Sequence, residues 1–164
     1  MSVAAALFIP FEPWMPIKDG DLHACEMFER HYSAAKSLRL RRERGTVLIC
    51  GPGYKMVLTT PCRRALFVWR KFISGDGQQG INCAVFRNEG AGLSSDLIMA
   101  ADALADERWP GERHFTYVDP QEVKSSNPGY CFLRAGWRKC GITKHRKLLI
   151  LERPGQGEAN GRGA

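Results

Sequence analysis

No apolar run in the 164 residues approaches the roughly 20 needed for a membrane-spanning helix, so the sequence predicts no transmembrane segment and no membrane partner. The apolar stretch from Val3 to Ile9 has no basic region before it and no clear cleavage site after it. That argues against a secretory signal and leads to the expectation of a cytoplasmic protein. The six cysteines (Cys25, Cys50, Cys62, Cys83, Cys131 and Cys140) include no Cys-x-x-Cys pair, which removes the usual zinc pattern. Without a secretory signal, reduced thiols are expected. Cys83, Cys131 and Cys140 lie in apolar segments and read as small buried hydrophobes. Also missing are an internal repeat, a recognition-helix signature, a Gly-x-Ser-x-Gly elbow and a Cys with an obvious His partner in sequence.

What the chain does have is a core-forming composition and an excess of positive charge. Its 44% hydrophobic content and four Trp predict one folded domain. The net charge of +7 is clustered. Arg39, Arg41, Arg42 and Arg44 form one knot, followed by Arg63, Arg64, Arg70 and Lys71. Arg134, Arg138, Lys139, Lys144, Arg146 and Lys147 form another. Such clusters favour an anionic partner, nucleic acid first and a phosphorylated cofactor second, against a plain solvated surface.

The organisation reads as an extended arm over 1–20, carrying Pro10, Pro13 and Pro16 and pinned by Phe11 and Trp14. A single domain is expected over 21–153, and a Gly-rich, disordered tail over 154–164. Asp21 caps a helix expected from Leu22 to Ala34. Strands are expected at Thr46 to Cys50, Tyr54 to Thr59, Ala65 to Arg70 and Asn82 to Phe86, then a helix from Leu97 to Trp109. A strand at His114 to Val118, a short helix from Pro128 to Ala135 and a hairpin of Lys139 to Thr143 with Lys147 to Leu151 complete the order. The fold class is α+β, a mixed and mostly antiparallel sheet flanked by helices.

One loop stands out within that order, Arg87-Asn-Glu-Gly90-Ala-Gly92-Leu-Ser-Ser-Asp96. A strand that breaks into glycines and opens a helix presents backbone N–H groups and a positive helix end, which suits a phosphate or pyrophosphate. Arg87 can add a charge-assisted contact. The alternative is an ordinary turn capped by Ser94 or Ser95, and both readings stay open on the loop alone.

With the element order, Arg87-x-x-Gly90-x-Gly92 resembles the acyl-CoA signature of the GNAT acyltransferase superfamily. Tyr117-Val118-Asp119 and the segment from Asn127 to Trp137 resemble that superfamily's later strand, short helix and Gly-aromatic turn. The resemblance covers roughly 46–152 and implies an acyl-CoA donor bound by Arg87, Gly90, Gly92, Ser94 and Asn127. One departure concerns the proton donor. Phe132 and Leu133 stand where many such enzymes place a Tyr, and Tyr130 lies one turn earlier. A narrower resemblance is to the phage Mom-type DNA-modification branch, carried by His31-Tyr32, Asp119 and Tyr130. It implies catalytic roles for these four, an iron ion held by His31 and Asp119, and a host-cell cytoplasmic location.

The transfer chemistry needs a held donor, a base and an acid. His31 or Asp119 is the candidate base, Tyr130 the acid, and Glu89 is a further candidate base more simply read as solvated. A splayed strand edge from Asn82 to Phe86 is expected to orient the donor through backbone bonds. DNA phosphates would meet Arg39, Arg41, Arg42, Arg44, Arg63 and Arg64, while Tyr32, Tyr54, Trp69 or Trp137 would stack on an extruded base. For Trp69 and Trp137, core packing is the preferred reading.

Three functions follow. The first is a GNAT-fold enzyme transferring a small acyl or amide-bearing group to adenine in DNA. The second is an acyl-CoA-dependent N-acyltransferase acting on a small amine or protein. The third is a non-catalytic nucleic-acid-binding protein. Oligomeric state is left open.

Overall fold

A computed structural model describes residues 12–34, 48–51, 53–72, 75–123 and 126–156. Seven strands form one sheet: β1 (Met15–Ile17), β2 (Tyr54–Thr59), β3 (Ala65–Lys71), β4 (Ile81–Asn88), β5 (His114–Val118), β6 (Arg138–Ile142) and β7 (Leu149–Arg153). The helices are α1 (Leu22–Glu29), α2 (Ser94–Arg108) and α3 (Tyr130–Arg134), with a 3₁₀ turn at Tyr32–Ala34. The strands lie in the order β1-β2-β3-β4-β5-β7-β6, and every neighbouring pair is antiparallel except β4–β5. This is the expected mixed, mostly antiparallel α+β sheet.

The alternation of β3 explains why helices cover both faces. Ala65, Phe67 and Trp69 enter a core shared with Leu97, Ile98 and Ala101 of α2 and Phe132 of α3. Leu66 and Val68 point the other way, into a core with Ala24, Met27 and Phe28 of α1. Because side chains alternate at period two, a central strand apolar at successive positions, as β3 is from Ala65 to Trp69, must be buried on both sides there. Trp69 and Trp137 are core residues, as preferred, and their indole rings stack 6.2 Å apart.

On the α2 side lies a buried polar network. Asp102 accepts from His114 Nδ1 at 2.7 Å and from Trp137 Nε1 at 2.9 Å. Nearby, Arg153 makes a two-pronged contact with Asp106, both bonds 2.8 Å.

Several boundaries differ from expectation for tertiary reasons. The arm contributes β1 to the sheet edge, and its Trp14 donates to the Leu97 carbonyl at 2.8 Å from a buried position. Phe11 lies outside the described residues. Helix α1 is capped by Asp21 as expected but stops at Glu29, because Arg87 captures the Arg30 carbonyl at 2.8 Å. Residues 48–50 are not a strand. The Asp19 carboxylate takes the Ile49 N–H at 2.6 Å and Lys55 Nζ at 2.7 Å, while 46–47 lie outside the described residues. Cys140 is exposed, not buried, since all of β6 faces solvent at the sheet edge; all six cysteines are free. Among the described residues no helix is long and apolar enough to cross a membrane.

Candidate active site

β4 and β5 pair for only three rungs, Ile81–His114, Asn82–Phe115 and Cys83–Thr116. Beyond them β4 bulges. Cys83 pairs with Trp69 and Val85 with Val68, so Ala84 is the extra residue. A bulge bends its strand and raises its twist, and here it turns β4 away from β5. The Thr116 hydroxyl fastens the last rung by donating to the Cys83 carbonyl at 2.9 Å. The parted strands enclose a cleft of about 540 Å³, lined by groups from both faces of the sheet. His31, Tyr32 and Val85 stand on the α1 side, and Val118, Cys131 and Phe132 on the side of α2 and α3.

The adjacent His31 and Tyr32 and the distant Asp119 all line this cleft. The break after α1 puts the His31 ring between Phe28 and Tyr32, with centroids 6.5 and 4.4 Å away. Burial, and then the nearby Arg87 charge, lower its pKa from 6.5 to about 4 despite a hydrogen bond to the Phe86 backbone. His31 is therefore a neutral imidazole at pH 7. Burial raises the pKa of the Tyr32 phenol, which stays protonated. The Tyr32 Oη accepts from the Asp119 N–H at 3.5 Å, tying the end of β5 to the turn after α1.

Tyr130 does not join them. It is 54% exposed and does not line the cleft, whereas Cys131 and Phe132 of the same helix do. Successive helical residues are about 100° apart, so burying Phe132 turns Tyr130, two positions earlier, to the opposite side. Cys131 is not a thiolate candidate, since burial raises its pKa. Asn127 lies outside the cleft lining, and its carbonyl starts the α3 turn by accepting from the Tyr130 N–H at 3.1 Å.

The glycine loop is partly closed on itself. Gly90 and Gly92 have φ of 104° and 144°, which explains glycine at both positions. Asn88 Oδ1 accepts from the Gly90 and Ala91 N–H groups at 3.1 and 2.9 Å, so these two donors are not free for a phosphate. Arg87 belongs to β4, and its guanidinium is held by Glu89 and the Arg30 carbonyl. Glu89 is not a base. Hydrogen bonds from Arg30 and then Arg87 lower its pKa to about 2. Ser94 and Ser95 do not cap α2: the cap position is Leu93, without a side-chain bond, and Ser94 Oγ accepts from Asn88 Nδ2 at 2.9 Å. The first N–H bonded within α2 is that of Leu97. The N–H groups of Ser94, Ser95 and Asp96 therefore form the helix end that can face an anion. The exposed Arg64 guanidinium lies beside the loop, 3.6 Å from where a Gly90 Cβ would stand.

Of the expected DNA-contacting residues, Arg39, Arg41, Arg42 and Arg44 lie outside the described residues. Arg63 is 3.8 Å from Asp21. Tyr54 is 69% exposed at the start of β2. Arg146 and Glu122 line the cleft without having been singled out as site residues; Arg146 sits in a basic cluster legible in sequence, while nothing local marks Glu122.

The described residues do not fit the implied iron. No group of three or more His, Cys, Asp or Glu among them is placed to hold a metal. His31 also bonds the Phe86 backbone and faces the positive Arg87, which disfavours a cation there.

No family model and no curated protein sequence matches the chain. Its fold is similar to that of an acyl-CoA N-acyltransferase from Pseudomonas aeruginosa, with 12% identity, 85% of this chain and 97% of that one covered, and a TM-score of 0.50. A protein described as a GnaT-family acetyltransferase from Bordetella pertussis shares 17% identity over 80% of this chain and 86% of that one, with a TM-score of 0.49. With its parted β4 and β5 strands and this strand order, the chain has a GNAT-like acyl-CoA N-acyltransferase fold.

Proposed function

We propose that this protein transfers an acyl-type group from a CoA thioester to an amine, and that the amine is the exocyclic amino group of adenine in DNA. The observation that carries this reading is the meeting of a neutral His31, a protonated Tyr32 and Asp119 in a cleft at the unpaired edge of β4. The α2 N-terminus and Arg64 receive the donor's phosphates, and the backbone of Ala84 to Phe86, which has no β5 partner, orients its arm.

In the transfer, the amine nitrogen attacks the thioester carbonyl carbon. A C–N bond forms and the C–S bond breaks. His31 accepts the amine proton, and Tyr32 supplies a proton to the departing thiolate. Asp119 holds the Tyr32 ring in place through its backbone N–H. Tyr32 thus takes the acid role that the sequence suggested for Tyr130. A cleft of about 540 Å³ lies within the range of small-ligand pockets, roughly 300–1,000 Å³, and is large enough for an extruded base.

Charge supports a DNA acceptor. Arg146 lines the cleft, and Arg134, Lys139, Lys144 and Lys147 are exposed. Mass analysis of nucleosides from DNA of cells expressing the protein should reveal a new adenine species. Unmodified DNA from cells containing well-folded protein would sink the DNA acceptor, and acylation of a small amine or a protein would then favour the second function. DNA affinity should fall steeply with salt, and Arg146→Ala should flatten the slope of log K against log salt by about 1. Salt titrations by fluorescence anisotropy measure this, and an unchanged slope removes that residue from the DNA interface.

A further inference from the structure

At the inner end of the cleft, one polar group has no answer within the described chain. Asn82 lines the cleft at 5% exposure, and its Nδ2 is buried without a hydrogen-bond partner. It stands one rung before the strands part, registered with Arg70 on β3 and Phe115 on β5. Burying an amide donor without an acceptor costs stability. No local feature of strand formation requires a polar residue between Ile81 and Cys83.

The surroundings indicate what kind of acceptor fits. Cys83, Ala84, Val85 and Thr116 complete this end of the lining. The Thr116 hydroxyl is committed to the Cys83 carbonyl, and burial pushes the Cys83 thiol well above its ordinary pKa, so it is uncharged. The charged lining groups Asp119, Glu122 and Arg146 lie past the end of β5 and between β6 and β7. A donor among neutral walls matches a neutral acceptor. Arg70, the cation registered opposite Asn82, turns its guanidinium to Gly51 and over the Phe72 ring and does not line the cleft, so a carboxylate or phosphate buried there would lack a cation among the lining groups.

We propose that Asn82 Nδ2 is a binding donor for a neutral carbonyl oxygen of the acyl donor, an inference that rests on the CoA-thioester reading above. That carbonyl belongs either to the transferred acyl group or to an amide of the donor's arm.

Calorimetric titration of CoA and acetyl-CoA into wild type and Asn82→Leu tests this. The variant should melt no lower than wild type, since it removes an unsatisfied donor, and should bind acetyl-CoA about tenfold more weakly. Unchanged CoA affinity assigns the acyl carbonyl, and equal weakening of CoA assigns the arm amide. In the wild type, the Asn82 side-chain NH₂ resonance in a ¹H–¹⁵N spectrum should move on adding acetyl-CoA, a readout independent of how the variant folds. Equal affinities of the folded variant and wild type, or an unmoved resonance in acetyl-CoA-bound wild type, overturn the role of Asn82 and leave the transferase reading standing. A wild type that binds neither compound overturns the transferase reading and this inference with it.

Discussion

His31→Ala should lower the rate of group transfer by about 10²- to 10⁴-fold while the protein remains folded, the range general-base catalysis normally supplies. The ring sits where it can take up the amine proton. It is half-buried against Phe28 and Tyr32, hydrogen-bonded to the Phe86 backbone, and kept neutral by desolvation and the Arg87 charge. A base must be unprotonated, and with a pKa of about 4 His31 already is at every pH above about 5. The pH profile of kcat/KM should therefore show no His-type inflection near 6.5 and should fall only as pH drops through about 4. Were the protonated ring an acid, the profile would fall instead as pH rises through 4. Arg87→Gln removes the neighbouring cation and should move the inflection upward. Stability has its own sign. Between pH 4 and 6.5 the unfolded chain binds the His31 proton and the folded chain does not. The His31 contribution is complete above 6.5, declines as pH falls toward 4, and is constant below. A His31→Ala variant that keeps full activity, with circular dichroism and melting confirming its fold, would remove His31 from the chemistry and favour Asp119 as base.

Asp102→Leu should be the most damaging single change to stability, about 3–5 kcal/mol, as expected when one member of a buried polar pair is removed. Asp102 serves two donors at once, His114 Nδ1 and Trp137 Nε1, and its own residue is 4% exposed while His114 is fully buried. Leucine leaves both donors without an acceptor, each costing about 1–3 kcal/mol, and adds bulk where a carboxylate fitted. Asp102→Asn keeps one acceptor and should lose less. The Arg30–Glu89 pair makes the contrast. Its distance is similar, 2.8 Å, but Arg30 is 47% exposed, and such surface pairs are worth only about 0–1 kcal/mol. Denaturant titration checks the prediction. The midpoint should drop with an unchanged slope, and a loss below 1 kcal/mol would show that the network contributes little.

The sheet's interior was legible from residue pattern. Tyr54 to Thr59 and His114 to Val118 form strands over the expected residues, since β-branched and aromatic runs between turn residues leave little choice. The edges were not legible. Met15–Ile17 carries Pro16 and reads as an arm, yet it pairs with Val57 to Thr59 because Trp14 finds a buried place against α2. The helix expected to run to Ala34 stops at Glu29 because a strand residue 57 positions away claims the Arg30 carbonyl.

The candidate site divides in the same way. His31, Tyr32 and Asp119 could be singled out by residue type and by resemblance, but their common cleft exists only because β4 and β5 part after the third rung. Tyr130, singled out with them, lies outside that lining because the short helix turns Phe132 inward. The loop shows the limit most plainly. Its glycines and its position between strand and helix are legible in the residues, whereas the bonds from Gly90 and Ala91 to Asn88 and the clamp of Arg87 by Glu89 depend on where β4 ends.

By itself, then, the sequence determined a basic chain with no Cys-x-x-Cys pair and no apolar run of about 20 residues, its α+β class and the strand-to-glycine-to-helix junction. These follow from composition and short-range periodicity. The tertiary structure alone decided that β4 separates from β5, that His31 is neutral and that Asn82 is buried without an acceptor. Burial, register and the neighbourhood of charges depend on residues distant in the chain, and no local pattern encodes them.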